Sequence, residues 1–199
     1  MTQTRSEETR STLLQVARRC FAEHGYDATG VAGICAGAGI SKGAFYYHFE
    51  SKQAIFLAIL TDWLDTLERA LIPIAATALP VPDLFVLLMH GAKDAIQSHA
   101  EWTPLILEFW TQSSRDVTVQ QASLATYRHY HQFMVGLIQR GIAEGSFASM
   151  DAEAGAQVVL SLASGLLFQG LLDPHSADWE RVAENSIQIL LNGLRRRSE

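Results

Sequence analysis

The sequence predicts an all-α protein of about nine helices: an N-terminal three-helix head of helix-turn-helix form, followed by a helical bundle. Three observations carry this. Apolar residues recur at three- and four-residue spacing with no sustained strict alternation, so the helical period dominates throughout. Glycines stand where helices of the head should stop and Ser or Thr where the next should start. A Pro-rich break at Leu79-Pro80-Val81-Pro82 is the clearest linker in the chain.

The elements follow in order. Leu13, Leu14, Ala17 and Phe21 form one face of a first helix over about Glu7 to His24, which Gly25 ends. Thr29 is the expected N-cap of a short second helix, Gly30 to Ala38, stopped by Gly39. Ser41 caps a third of only two turns, Lys42 to Phe49. Ser51 caps a long fourth, whose buried stripe runs through Ile55, Ile59, Leu60, Trp63, Leu64 and Leu67 and which Pro73 kinks or ends. Five further helices are expected at Asp83–His99, Trp102–Gln112, Val117–Glu144, Asp151–Leu172 and Asp178–Arg197. Pro104 in a first turn costs nothing there. The expected division is a head over residues 1–50 and a body over 51–199.

At 199 residues, 48% of them hydrophobic, the chain buries a substantial core. Its two cysteines, Cys20 and Cys35, give no disulfide framework, so a reduced, cytoplasmic setting is expected. The N-terminus lacks an apolar run after a basic start. The most apolar stretch, Val158 to Leu172, is broken by Ser161, Ser164, Gly165, Gln169 and Gly170 and is shorter than a spanning helix requires, so no membrane partner is expected.

The net charge of −6 argues against nucleic acid, but its distribution does not. Residues 1–52 carry six basic and five acidic side chains, a net +1, which leaves −7 on the rest. An acidic body with a slightly basic head is compatible with DNA binding through the head alone.

Two short helices joined through Ala38-Gly39-Ile40-Ser41 form the helix-turn-helix pattern. Ile34, Ile40, Phe45 and Phe49 pack such a head. That leaves Lys42, Gly43, Ala44, Tyr46, Tyr47 and His48 at the surface: small residues where base edges approach, and ammonium, phenol and imidazole donors where phosphates lie. The glycines do not fit a phosphate-cradling loop, since the spacing is not G-x-G-x-x-G and no strand precedes them.

The run from Phe21 to Thr29, with Ala38 to Phe49 and Ser51-Lys52, resembles the N-terminal domain of the TetR family of transcriptional regulators, over about residues 10–60. The resemblance implies that the third helix reads operator DNA through Lys42, Gly43, Tyr46, Tyr47 and His48, with Lys52 on the backbone and Thr29 and Ser41 at phosphates; Ala44 lies on the same surface. The sequence departs from that family at Gly30, Ala32, Gly33 and Gly37, where charged and helix-forming residues are usual. Its second helix therefore lacks a basic side chain for the backbone. The resemblance further implies a two-fold dimer through the last two helices, in keeping with a single helix-turn-helix reading half a site. Leu160, Ala163, Leu167 and Gly170, with Val182, Ile187, Leu190, Leu191 and Leu194, are the expected interface.

The middle helices are rich in large apolar side chains: Phe85, Met89, Trp102, Phe109, Trp110, Tyr127, Tyr130, Phe133, Met134 and Phe168. Such a set describes a core and equally a cavity for an apolar or amphipathic small molecule. The resemblance favours the cavity, hence a repressor released by an effector. No catalytic triad, cofactor motif or metal-ligand spacing stands out, so neither an enzyme nor a cofactor is expected. His129 and His131, two apart on a helix, diverge rather than share a metal. Arg195-Arg196-Arg197 is read as cations complementing a helix C-terminus.

Overall fold

The computed structural model describes residues 2–97 and 103–195. Among them stand nine helices: α1 (Thr2–Ala28), α2 (Val31–Ala38), α3 (Lys42–His48), α4 (Lys52–Ala75), α5 (Val81–Gln97), α6 (Thr103–Ser113), α7 (Val117–Ala143), α8 (Ala152–Leu172) and α9 (Trp179–Leu194). The chain forms two compact units, residues 1–68 with 95–123, and residues 69–94 with 124–199.

In the first unit α1 packs on α2 and α6, and α2 on α3. Its core joins Leu13, Ala17 and Phe21 of α1, Ile34 of α2, Phe45 of α3, Ile55 and Phe56 of α4 and Leu105 of α6. The helical period of the sequence put these residues on inward faces. α1 starts five residues before the expected Glu7, because its first turns are polar and leave no apolar periodicity to read. At the other end Gly25 adopts φ 79°, ψ 168°, backbone that favours glycine, and breaks the helical path.

The second unit is built on Leu84 and Phe85 of α5, Leu137 and Ile138 of α7, Ala156 of α8, Leu191 of α9 and Phe147. The Phe147 ring lies 6.0 Å from that of Phe85, and a Cβ at Gly141 would overlap it. The 76–80 linker is held by Arg140, which donates to the carbonyls of Thr77 and Leu79. α5 begins two residues earlier than expected: Pro80 O accepts from Asp83 and Leu84 N–H, and Pro82 falls in the first turn, where no N–H is needed. Pro73 stands inside α4, which continues two residues beyond it.

α8 spans 21 residues, longer than the apolar stretch read from sequence, and by length and composition alone reaches what a membrane-spanning helix needs. Only 17% of its most apolar window is buried within the chain.

Candidate nucleic-acid interface

The turn between α2 and α3 is set by local backbone chemistry. Gly39 takes the left-handed conformation, φ 65°, ψ 29°, and the N–H of Ile40 closes back on Cys35 O at 3.0 Å, the usual helix-ending motif. Two residues on, the Ser41 hydroxyl accepts from Ala44 N–H at 3.2 Å and starts α3. Ser51 starts α4 likewise, accepting from Ala54 N–H at 3.0 Å. Phe45 and Ile34 are wholly buried and Phe49 nearly so, with the Arg10 guanidinium 5.3 Å over the Phe49 ring.

With Phe45 and Phe49 inward, the other face of α3 is turned outward. Tyr47 is 79% and Tyr46 54% exposed. Lys42 and Gly43 are exposed, and Ala44 and His48 half-buried. The Tyr47 and His48 rings meet edge-on at 5.0 Å. The structure thus gathers Ser41, Lys42, Gly43, Ala44, Tyr46, Tyr47 and His48 on one seven-residue helix and its cap.

Two residues of the expected set stand apart from that face. Thr29 is 5% exposed, its hydroxyl 2.7 Å from Gly25 O and 3.1 Å from Cys20 O. The N-cap expected of Thr29 is Gly30, in extended backbone without a side-chain cap, because the threonine hydroxyl bonds back to the end of α1 instead. Lys52 is half-buried, donates from Nζ to Tyr26 O at 2.8 Å, and lies 4.1 Å from the Tyr26 ring centre. Spacing does not reveal either inward bond: the Lys52 bond reaches back 26 positions, and the Thr29 bonds return to carbonyls at and before the non-helical Gly25.

The residues expected around an effector fall in both units. In the first, Phe109 is buried and meets Phe56 at a tilt of 30° with centroids 4.1 Å apart, while Trp110 is exposed. Beside Phe109 the nearly buried Gln112 amide donates to the Glu108 carboxylate at 3.0 Å. In the second, Phe85 is buried, Met89, Tyr130, Phe133 and Met134 are half-buried, and Tyr127 and Phe168 are exposed. The Tyr127 hydroxyl donates to Gln157, and its ring lies 5.7 Å from that of His131, which is 3.4 Å from the Glu153 carboxylate. Trp102 lies outside the described residues, as do Arg196 and Arg197. A separate open cleft of about 470 Å³ in the first unit is lined by Arg10, Arg18, Glu7 and Asp62 over Leu14 and Ile59. No group of three or more potential metal ligands occurs among the described residues.

Two of the residues expected at a dimer surface face inward instead. Ile187 and Leu191 are buried within their own chain, whereas Ile189, Val158 and Leu172 are 73%, 51% and 64% exposed. Period alone does not say which of two apolar stripes on α9 faces its own unit.

Residues 13–59 match the model of bacterial regulatory proteins of the tetR family, and residues 90–193 that of the BetI-type transcriptional repressor C-terminal domain. The chain is 33% identical over 141 residues to the HTH-type transcriptional repressor KstR2 of Mycolicibacterium smegmatis, covering 69% of this chain and 67% of that one. Among solved structures, the fatty acid degradation regulator FadR of Bacillus halodurans superposes with a TM-score of 0.81 at 18% identity, over 94% of this chain and 97% of that one. A transcriptional regulator of Saccharomonospora viridis in complex with choline does so with 0.79 at 23%, over 96% and 100%. These likenesses establish the same fold. Matched along both its halves and related over two thirds of a named repressor, the chain belongs to the TetR family of bacterial regulatory proteins, as a DNA-binding transcriptional repressor and not an enzyme.

Proposed function

We propose that the protein, in the cytoplasm, represses its target by placing α3 in the major groove of a two-fold operator, as a homodimer paired through α8 and α9, and that a small apolar or amphipathic effector releases it. The supporting observation is the chemistry of α3: a helix with the buried Phe45, and the buried Phe49 at its C-cap, on one side and Lys42, Tyr46, Tyr47 and the bare Gly43 on the other suits groove entry. In this reading Ser41, Lys42, Tyr46, Tyr47 and His48 offer donors along the backbone, and Gly43 and Ala44 allow close approach to base edges. The head, residues 1–50, supplies the DNA contacts and residues 51–199 the effector and dimer surfaces.

The dimer is supported by α8. Its exposed face is apolar but interrupted by Gln157, Ser161, Ser164 and Gln169, a mixture that suits a second protein surface better than lipid tails. The effector is supported by the half-buried aromatic and Met side chains of the second unit and by the choline-bound relative. Release needs only that the effector favour the dimer form that does not bind DNA, and a tenfold loss of operator affinity requires about 1.4 kcal/mol of coupling.

The test begins by selecting random-sequence duplexes on the purified protein. Recovery of a two-fold symmetric sequence with half-sites about one helical turn apart is expected; a site without symmetry would refute the dimeric reading. Candidate effectors, choline and medium-chain fatty acids first, are then titrated with and without that duplex. Equal effector affinity in both titrations would refute release, because coupling between two sites is reciprocal.

A further inference from the structure

We propose that Lys52 serves operator binding as a positioning residue: it ties the start of α4 to the junction between α1 and α2 through Tyr26, and so sets where the helix-turn-helix stands, instead of neutralising a phosphate.

The junction is where α1 abandons its helical path at Gly25 and turns toward the Gly30 cap of α2. Helix-terminal carbonyls need donors, and a cation at a helix C-terminus also complements the macrodipole. Donors from outside α1 converge here. The Thr29 hydroxyl points at the carbonyls of Cys20 and Gly25, the Thr29 N–H reaches Tyr26 O at 3.3 Å, and the Lys52 ammonium supplies the shorter bond to the same oxygen. A charged donor makes that bond stronger than an amide does.

The same ammonium sits over the Tyr26 ring, a second attraction to one residue. One turn further along α4, Phe56 meets that ring at 4.7 Å, and Phe21 stacks on it at 5.6 Å. Lys52 and Phe56, four residues apart on one face of α4, therefore hold Tyr26 together. The phenol stays neutral: burial foremost, then the charges of Asp116 and Asp27, push its pKa above the ordinary value. If the ammonium swung out to a phosphate, Tyr26 O would keep only the longer Thr29 bond, and the ring would lose its cation.

The test uses the duplex selected on the wild-type protein, with affinity measured by fluorescence anisotropy over a series of KCl concentrations. A residue on a phosphate contributes about one unit to the slope of log affinity against log salt. Lys52→Met is expected to weaken binding about tenfold, the scale of one charged hydrogen bond, with the slope unchanged. Lys52→Arg, which keeps a donor and a cation over the ring, is expected to restore most of the affinity. Tyr26→Leu should weaken binding too, and the double variant Tyr26→Leu/Lys52→Met no more than the worse single. A slope flattened by about one unit in Lys52→Met, unchanged affinity, or fully additive losses would overturn the proposal. A measurement on the wild-type chain decides even where a variant fails to fold: the Lys52 Hε protons, shifted upfield by the Tyr26 ring, should keep that shift in the duplex complex. Its loss on adding duplex would show the ammonium leaving for the DNA.

Discussion

α3 and the α8–α9 pair both expose large side chains, and they do so with opposite chemistry. On α3 the exposed aromatics are tyrosines, Tyr46 and Tyr47, next to Lys42 on a helix of seven residues. On α8 and α9 the exposed groups are Val158, Phe168, Leu172 and Ile189, among small residues such as Ala154 and Ala163. A phenol keeps a hydrogen-bonding tip in water while offering a flat apolar body, so it suits a hydrated, charged partner. An isoleucine or valine offers nothing to water and suits a dry surface of its own kind. Exposure alone does not tell the two regions apart; the polarity of what is exposed does.

The largest effect that separates the two faces is on assembly. Ile189→Glu combined with Val158→Glu places charges on two positions that one chain leaves open, so the isolated fold has no reason to suffer. In a dry dimer interface each unpaired charge costs about 3–5 kcal/mol. Sedimentation at micromolar concentration should show a wild-type dimer and a monomeric double variant with unchanged helical content. A wild-type monomer would break the contrast, leaving the apolar face of α8 without its expected partner.

On the polar face the expected loss is smaller. Tyr47→Ala should cost about 1–3 kcal/mol of operator affinity, roughly 5- to 150-fold, while its exposure leaves the thermal midpoint unmoved. A lowered midpoint with intact DNA binding would make Tyr47 a packing residue. Lys42→Ala sharpens the same contrast. It should weaken binding evenly across sequences and flatten the salt slope by about one unit, the behaviour denied to Lys52. If Lys42 left the slope unchanged, α3 would meet DNA without a phosphate contact at its start.

What could be read from sequence divides along the same physical line. Local signals carried through: Gly39, Ser41 and Ser51 do in the structure what their residue types imply, and the N-caps of α8 and α9 are Asp151 and Asp178. Signals that depend on the path of the chain did not. Thr29 has the residue type of an N-cap, yet its hydroxyl bonds back to α1, because the turn at Gly25 brings those carbonyls within reach. The bond from Lys52 to a carbonyl 26 positions earlier likewise has no signal in residue type or spacing. Phe109, read in sequence as part of an aromatic stripe through the middle helices, packs on the Phe56 ring of α4, a pairing that helical period cannot reveal. In α9 the period located an apolar face but not the split between Ile187 and Leu191, which are buried, and Ile189, which is not.

The smallest expected effect tests a difference in how the two regions are held. The α2–α3 and α3–α4 turns of the head carry the neutral hydroxyl caps of Ser41 and Ser51, whereas the 76–80 linker of the second unit is held by charge. Glu144 accepts from Val81 N–H at 2.7 Å at the start of α5, and from the Ser146 hydroxyl at 2.6 Å, with Arg140 3.8 Å away. Burial pushes its pKa up, but the Ser146 hydroxyl, the Val81 N–H and the Arg140 charge together outweigh it, and the carboxyl ends below its ordinary value of about 4.5. A carboxyl whose pKa is lower in the folded than in the unfolded chain gives the fold stability that is fully present above the unfolded value and is lost as pH falls through the folded one. Glu144→Gln keeps an acceptor for Val81 N–H and removes only the charge. Its melting temperature should therefore lie a few degrees below wild type at pH 7, a loss of about 1 kcal/mol. The gap should hold down to about pH 5 and close progressively below pH 4.5, where the wild-type carboxylate itself takes up a proton. Melting curves at pH 7, 5, 4 and 3 in low salt decide it: a gap that stays constant over this range would show that Glu144 acts by shape alone and that the linker, like the starts of α3 and α4, is held by neutral hydrogen bonds.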